Sequence, residues 1–296
     1  MAIILPYGKA ICYSGYRQGQ SPKTEIPTKE QIAEDLNILV KDGYQYIRMY
    51  DPNLHARRVL EIIREKQLPL KCMIGIDSDP EVNNPNCPFN DGREYSPEEL
   101  RNNIARNDAE IDALIQLAEE FDEEIVALSV GNENTPEWTA HMVPAKRLLS
   151  HAERLKKATN KPITFCEIVP AWEKLQELGN YLDIISIHSY PLHDGLTIDV
   201  ALKTNQEHLQ RVKNIFPNKQ VIFTEMGWTT MTNSKMKPGQ ACVENQKRYI
   251  AEISEWMERE HIIGFIFEAF DEPWKGNTPA DSECNWGLYY LDRTHK

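Results

Sequence analysis

Two glutamates stand where a buried strand is expected to end. Glu133 closes the segment Ser129-Val-Gly-Asn-Glu133, and Glu225 lies near the end of the segment Phe223-Thr-Glu-Met-Gly-Trp228. Burying a carboxylate is costly, so a carboxylate at the end of an apolar strand indicates chemistry more than packing. Both residues are therefore candidates for a reaction centre.

A pair of carboxylates that flanks one bond can cleave a glycosidic link. One carboxyl group protonates the leaving oxygen, and the other attacks the sugar carbon or activates a water. The alternative is that each glutamate caps a helix or pairs with a surface lysine, as most glutamates do. Two carboxylates can also ligate Mg²⁺, but neither motif has a third oxygen ligand nearby, which weakens that alternative. We expect no metal and no organic cofactor.

The elements that must position this pair alternate between apolar runs and helical patterns. Continuous apolar runs joined by helices indicate parallel strands that are buried on both faces. The predicted strands are 10–16, 46–50, 70–77, 125–133, 163–168, 184–191, 221–228 and 265–271, and the main predicted helices are 29–40, 56–65, 97–121, 145–158, 198–215 and 243–260. Eight such repeats predict a single (β/α)8 TIM barrel that occupies residues 1–296 as one domain. An open doubly wound sheet is the alternative, and the absence of a glycine-rich first turn disfavours it.

The carboxyl ends of the predicted strands carry the long irregular segments. These are residues 17–27, 78–95, 229–240 and 272–286. In a TIM barrel they all lie on the face where active sites are built. Strands four and seven are expected to face each other across the barrel, so that Glu133 and Glu225 point into one cleft with their carboxyl groups about 5–5.5 Å apart.

The composition limits the class of partner. The chain has 45 acidic and 33 basic side chains, a net charge of −12. Such a field repels nucleic acid and anionic lipid, so we expect neither as a partner and favour a neutral saccharide. No apolar run reaches the roughly 20 residues of a membrane helix, and residues 1–6 do not resemble a signal peptide. The expected location is cytoplasmic, or secreted or periplasmic if an export signal has been removed, and the expected state is a monomer.

Several motifs resemble those of a known family. Ser129-Val-Gly-Asn-Glu133 resembles the acid/base signature of the clan of (β/α)8 glycosidases that carry catalytic glutamates on strands four and seven. More narrowly, the chain resembles glycoside hydrolase family 17, the β-1,3-glucanases. The remaining motifs occur in the family's order and extend over nearly the whole chain: Ile11-Cys-Tyr13, Ile47-Arg-Met-Tyr-Asp-Pro-Asn53, Thr224-Glu-Met-Gly-Trp228, Phe270-Asp-Glu-Pro-Trp-Lys275 and Glu283-Cys-Asn-Trp-Gly-Leu288.

The resemblance implies a role for each matching residue. Glu133 would be the acid/base, Glu225 the nucleophile, and Asn132 the partner of the sugar 2-hydroxyl, while Tyr190 would hold the nucleophile. A charged network beside the acid/base would contain Glu272, Lys275 and Glu283. The complete expected substrate-binding set is Tyr13, Tyr50, Asn132, Tyr190, Trp228, Glu272, Lys275 and Glu283.

The nucleophile motif departs from the family at two positions. Met226 stands where a small residue is usual, and Thr229 stands where proline is usual. These two differences concern the expected shape of the cleft rim, whereas the carboxylate of Glu225 is retained.

Other residues near strand ends have two interpretations. Aromatic faces stack on pyranose rings, but about half of the tryptophans near strand ends are expected to pack in the core instead. His188 and His193 are interpreted as structural, and Arg48 as the partner of a nearby carboxylate. The tryptophans concerned are Trp138, Trp172, Trp228, Trp274 and Trp286.

The function predicted from these observations is a retaining hydrolase of laminarin-type β-1,3-glucan that works by double displacement, with transglycosylation to sugar acceptors as a further possibility. One alternative is another glycanase of the clan that acts on β-1,4 links. A second alternative, of a different class, is a glucan-binding barrel without activity, which has no need for an acid and a nucleophile in register.

Overall fold

Eight parallel strands close into one barrel in the computed structural model, which describes residues 3–89 and 92–296. Each strand pairs with its neighbours in chain order, and the first pairs with the last. The strands are β1 (Ala10–Cys12), β2 (Tyr46–Met49), β3 (Lys71–Ile74), β4 (Ile125–Asn132), β5 (Ile163–Ile168), β6 (Ile184–Ser189), β7 (Gln220–Met226) and β8 (Gly264–Ile266). The predicted TIM barrel is therefore confirmed.

Helices cover the outside of the barrel, as the alternation of patterns predicted. They are α1 (Lys29–Lys41), α2 (Leu54–Glu65), α3 (Pro97–Glu120), α4 (Ala145–Ala158), α5 (Gln176–Tyr181), α6 (Ile198–Ile215) and α7 (Val243–Glu260). The start of α3 is encoded locally: Ser96 and Glu99 form a capping box around Pro97, which satisfies backbone N–H groups that the first turn leaves free. Only α5 is short, and a 3-10 turn over Val169–Glu173 precedes it.

Two layers of apolar side chains fill the fold. The larger lies between the strands and the surrounding helices. The smaller plugs the inside of the barrel, as expected for a barrel that is a packed core and not a pore. Its buried members are Leu5, Ala10, Cys12, Tyr46, Met73, Ala127, Ile184, Ile222, Ile263 and Phe265.

The first and last strands are shorter than predicted. β1 ends at Cys12 and β8 ends at Ile266, because the chain beyond each forms hydrogen bonds outside the ladder. The N–H of Ala269 donates to the carbonyl oxygen of Cys12, and the N–H of Glu268 donates to that of Trp286. The apolar run after β8 therefore builds the carboxyl-terminal face. The predicted loop 78–95 also lies on that face, and its residues 90–91 are outside the described residues.

Irregular register marks the strand ends that carry the candidate site. The β4–β5 pairing shifts between Ser129 and Asn132, and the β6–β7 pairing shifts between Ile187 and His188. Such irregularities redirect side chains next to active sites. β4 and β7 are three strands apart in the closed sheet, and both present their candidate glutamates at the carboxyl-terminal face.

A buried ionic cluster ties the two ends of the chain together. The Asp35 carboxylate on α1 has no exposed surface and accepts hydrogen bonds from Arg17, Arg293 and the hydroxyl of Tyr13. Arg17 belongs to the loop after β1, and Arg293 lies near the carboxyl terminus. The cluster therefore anchors the loop after β1 and the tail to one helix.

We expect Asp35→Ala to lower the free energy of unfolding by about 3–5 kcal/mol, because it leaves two largely buried guanidinium groups without their carboxylate. Glu34→Ala is the matched control. Glu34 also contacts Arg17, at 2.6 Å, but its side chain is 61% exposed, so its loss should cost less than about 1 kcal/mol. Urea denaturation monitored by circular dichroism measures both, and equal losses would contradict the importance of burial.

One further sequence-based expectation concerns membranes. Among residues 3–89 and 92–296, no helix combines the length and the apolar character that crossing a bilayer requires. The six cysteines are all free thiols, and five of them are buried.

Candidate active site

The carboxylate of Glu225, at the end of β7, is held by three donors. Arg48 lies 2.5 Å from Oε1, the Tyr50 hydroxyl donates to Oε1 at 3.1 Å, and the Tyr190 hydroxyl donates to Oε2 at 2.6 Å. Burial alone would raise the pKa of Glu225, but the positive charges of His188 and Arg48 and these hydrogen bonds hold it at about 2. Glu225 is thus ionised at neutral pH and fixed in orientation.

A tight backbone turn presents Glu133 at the end of β4. Glu133 has a φ of +50°, in the left-handed region that non-glycine residues rarely adopt. Asn134 stabilises the turn, because its side-chain oxygen accepts the N–H of Asn132 at 2.8 Å. A Cβ at Gly131 would lie 2.2 Å from that oxygen, so the turn requires glycine at this position.

The same turn orients Asn132. The Arg48 guanidinium, which can only donate, contacts the side-chain oxygen of Asn132 at 2.5 Å. The amide nitrogen of Asn132 is therefore the group left for the cleft, where it is available as a donor to a substrate oxygen. Arg48 thus pairs with a carboxylate, as its sequence interpretation favoured, and aligns Asn132 with Glu225.

Glu133 and Glu225 come close together. One carboxylate oxygen of each and a ring nitrogen of His188 all lie within 4.8 Å of one another. His188 Nδ1 is 2.6 Å from Glu133 Oε1 and 3.5 Å from Glu225 Oε2. The Glu133 side chain is 18% exposed, against 8% for Glu225, so Glu133 has the greater access to solvent and ligand.

Two cavities flank this pair and share Glu225 and Phe267. The β2 lobe, of about 610 Å³, also contains Asn132, and the β6 lobe, of about 600 Å³, also contains Glu133. The β2 lobe is further lined by residues such as Tyr16, Tyr50, Asp51, Asp77 and Trp274. The β6 lobe is further lined by residues such as Trp138, His188, Tyr190, Glu283 and Trp286. The carboxylates therefore stand at the junction of an elongated cleft.

The predicted charged network has a different membership. Among the described residues, the Lys275 ammonium pairs with Glu268 at 2.5 Å and with Glu272 at 2.9 Å. Burial alone would lower the pKa of Lys275, but the two carboxylates outweigh it and raise the pKa. Glu283 pairs instead with His193 at 3.4 Å and lines the other lobe. Burial raises the pKa of Glu283, but His193 and the positive charge of Lys275 lower it overall, so the charge of Lys275 also reaches Glu283.

Two of the predicted substrate-binding aromatics, Tyr13 and Trp228, are almost completely buried. Trp228 has no exposed surface, and its indole N–H donates to the carbonyl oxygen of Gln240, so the prediction that Trp228 contacts substrate was wrong. Tyr13 lines the β2 lobe, but its hydroxyl donates to Asp35. Trp138 and Trp274 are 39% and 38% exposed, one in each lobe, and are the tryptophans open for stacking.

Sequence reasoning missed two buried glutamates, Glu268 and Glu167. It also missed the position of His188 beside Glu133 and Glu225. Glu268 follows β8 and pairs with Lys275, and Glu167 on β5 accepts hydrogen bonds from the N–H and hydroxyl of Thr135, in the loop that carries Glu133. Burial is the main cause that raises the pKa of Glu167 to about 7. The available signal was the same as for the candidate pair Glu133 and Glu225, namely a carboxylate inside an apolar run.

The residues nearest to a metal-binding arrangement are Glu133, His188 and Glu225. A cation at this point would meet the Arg48 guanidinium, which already neutralises Glu225. The donor set therefore suits two carboxylates that act on a substrate better than it suits a resident metal ion.

A closed (β/α)8 barrel with two close glutamates at the ends of β4 and β7 has the architecture of a glycosidase. The family model described as the BtgE/BtgC glycoside hydrolase domain matches residues 10–287. The chain belongs to this family of glycoside hydrolases. This assignment agrees with the resemblance found in the sequence motifs.

Curated relatives of the chain include fungal proteins. The cell surface mannoprotein MP65 of Candida albicans is 23% identical over 95% of the chain and 66% of its own length. The putative glucan endo-1,3-beta-glucosidase btgC of Aspergillus niger is 25% identical over 88% of the chain and 38% of its own length. The chain thus spans about two thirds or less of the length of these relatives.

Solved structures share the fold over nearly the whole chain. An endo-laminarinase from Formosa Hel1_33_131 has a TM-score of 0.81 and 26% identity, covering 96% of this chain and 84% of its own. A glycoside hydrolase family 17 β-1,3-glucanosyltransferase from Rhizomucor miehei has a TM-score of 0.75 and 20% identity, covering 98% of this chain and 95% of its own. At this identity the similarity shows the fold alone.

Proposed function

We propose that this chain is a retaining glycoside hydrolase that cleaves β-1,3-glucan by double displacement. The observation that carries the proposal is the approach of Glu133 and Glu225, whose carboxylate oxygens come within 4.8 Å of each other. Retaining glycosidases hold their carboxyl groups about 5–5.5 Å apart, whereas inverting enzymes need about 6.5–9.5 Å to admit a water. The short approach of one oxygen of each glutamate is nearer to the retaining range and supports a covalent intermediate.

The surroundings of the two glutamates support opposite roles. Glu225 is ionised, held by Arg48, Tyr50 and Tyr190, and is therefore suited to attack the anomeric carbon. Glu133 is more exposed than Glu225, and only its Oε1 contacts His188 Nδ1. Glu133 protonates the leaving oxygen in the first step and takes a proton from the attacking water or sugar hydroxyl in the second.

The two lobes support a direction for the substrate. The β2 lobe combines Glu225 with Asn132, so it holds the sugar that becomes attached to the enzyme, with the Asn132 amide donating to its 2-hydroxyl. The β6 lobe contains Glu133, so it holds the leaving sugar and later the acceptor. Because the β6 lobe has nearly the volume of the β2 lobe, a sugar can compete with water there, which favours some transglycosylation. Both lobes are built by one barrel, so we infer that a monomer suffices.

The choice of β-1,3-glucan rests on relatives, since the glutamate pair alone suits any glycanase of the clan. Relatives in the family carry the name glucan endo-1,3-beta-glucosidase, and the Formosa neighbour is an endo-laminarinase. A barrel that only binds glucan is the alternative of a different class. It is disfavoured because Arg48, Tyr50 and Tyr190 hold Glu225 ionised, which binding alone does not require.

We expect hydrolysis of laminarin and curdlan and little action on carboxymethylcellulose or xylan. Reducing-end assays compare the four polysaccharides, and proton NMR follows the anomer of the first product from laminarin. Double displacement predicts the β-anomer first, before mutarotation. A preference for carboxymethylcellulose would overturn the substrate and leave the mechanism standing. The α-anomer as first product would overturn the mechanism, and binding of laminarin without cleavage would favour the non-catalytic alternative.

A further inference from the structure

His188 lies between the two carboxylates, and the mechanism described above leaves it without a role. Its Nδ1 is 2.6 Å from Glu133 Oε1 and 3.5 Å from Glu225 Oε2, and its side chain has no exposed surface. Glu225 is ionised and its oxygens only accept hydrogen bonds, so Nδ1 must carry a hydrogen to contact Glu225 favourably. The same N–H therefore faces both the proposed acid/base and the proposed nucleophile.

The groups around the imidazole ring favour its charged form. Burial alone would lower the pKa of His188, but Glu225, Cys166 and Glu133 outweigh burial and raise it to about 10. Proton loss from the ring would therefore begin only well above neutral pH. The titratable and charged groups around His188 and the two carboxylates come from six strands: Cys12 on β1, Arg48 on β2 with Tyr50 after it, Glu133 after β4, Cys166 and Glu167 on β5, Tyr190 after β6, and Glu225 on β7.

Double displacement moves one negative charge between the two carboxylates. In the first step Glu225 bonds to the anomeric carbon and loses its charge, while the leaving oxygen takes the proton of Glu133, which becomes charged. In the second step Glu133 removes a proton from the incoming water, whose oxygen displaces Glu225 as a carboxylate. Before and after each step one of the two groups is ionised, and His188 is within 3.5 Å of both.

We propose that His188 is a positioning residue that fixes Glu133 Oε1, leaves Oε2 free to exchange the proton, and compensates the negative charge on whichever carboxylate carries it. The inference rests on the proposed roles of Glu133 and Glu225. It adds that one buried cation serves both halves of the reaction. Arg48 cannot do this, because among these carboxylates it contacts Glu225 alone.

Two substitutions separate the effect of the Nδ1 hydrogen of His188 from the effect of the positive charge on its ring. His188→Leu removes both, and we expect kcat/KM on laminarin to fall at least about 100-fold. His188→Asn keeps an N–H near the place of Nδ1 and should recover about tenfold of that loss. Both variants lack the cation, so both limbs of the pH profile of kcat/KM should move to higher pH by about one unit or more, because a nearby positive charge favours ionised carboxylates. A purely structural histidine would lower the rate without moving either limb, and that result would overturn the inference.

His151→Asn is the matched control. His151 is also fully buried and lies 3.4 Å from a carboxylate, that of Asp108, but on α4 away from the cleft. We expect its kcat/KM and both pH limbs to match the wild type. Limbs that move equally in this variant would assign the shift to a loss of stability and overturn the inference.

Nitrogen-15 NMR of the wild-type protein tests the charge without any substitution or substrate. We expect both ring nitrogens of His188 to be protonated at pH 7, with the signals assigned in the wild-type protein by triple-resonance and NOE spectroscopy. A neutral ring at pH 7 would overturn the inference even if the variants fail to fold. A wild-type protein without glycosidase activity would overturn the proposed function, and the inference with it. An active wild type with unmoved limbs would overturn the inference alone.

Discussion

Glu225→Ala should lower kcat/KM on laminarin by about 10⁴- to 10⁶-fold, the loss expected when a nucleophile is removed from a catalytic unit. The anomeric carbon then has no group to attack it, and the donors that converge from Arg48, Tyr50 and Tyr190 have no carboxylate to hold. Initial rates of reducing-end release, with circular dichroism to verify folding, measure the effect.

Glu124→Ala is the matched control for this variant. The Glu124 side chain is as buried as that of Glu225, at 8% exposure, and also pairs with an arginine, Arg64, at 2.8 Å. Glu124 precedes β4, at the opposite end of the barrel from the cleft. We expect Glu124→Ala to lower the free energy of unfolding and to leave kcat/KM unchanged. Equal loss of activity in both variants would assign the effect to folding and contradict the nucleophile.

Azide gives the Glu225 variant a diagnostic product. With an activated dinitrophenyl β-glucoside, azide can enter the space that the carboxylate vacates and attack the anomeric carbon from the same side. A single displacement inverts the centre, so proton NMR should show the α-glycosyl azide. The β-azide from this variant would mean that another residue still forms the covalent intermediate.

Glu133→Ala should lower kcat/KM on laminarin by about 10²- to 10⁴-fold, the contribution usual for a general acid. A dinitrophenolate leaving group needs no proton, so its release in the first step should stay close to the wild-type rate in a burst measured by stopped flow. Breakdown of the intermediate should then be slow, because no base activates water. Azide, which needs no base, should accelerate this step and give the β-glycosyl azide.

Glu137→Ala is the control for the second variant, since Glu137 belongs to the same loop but its side chain is 84% exposed and contacts Lys174. It should behave as the wild type. If Glu133→Ala instead retained most of its laminarin activity, the acid/base would have to be another carboxylate, and Glu283 in the β6 lobe would be examined first.

The barrel and the identity of the candidate pair could be predicted from the sequence. The six main helices were placed within two residues of their observed ends, because amphipathic periodicity and caps such as Ser96 with Glu99 are local properties of the chain. Glu133 and Glu225 stood out because a carboxylate at the end of a buried run is costly wherever the run folds. The turn that presents Glu133 is likewise local, because it depends on the close contact between Gly131 and the Asn134 side chain and on the hydrogen bond from Asn132 to Asn134.

The contacts that give the pair its chemistry depended on the tertiary structure. Arg48 and Glu225 are 177 residues apart in the chain, and His188 and Glu133 are 55 apart, so no local pattern predicts which groups meet. The same holds for Trp228, whose burial comes from packing against Tyr249 on α7. Local periodicity determines which segments form strands and helices. The closure of eight strands into a ring decides which side chains share a low-dielectric space, and it is this shared space that lets the charges of His188 and Arg48 lower the pKa of Glu225.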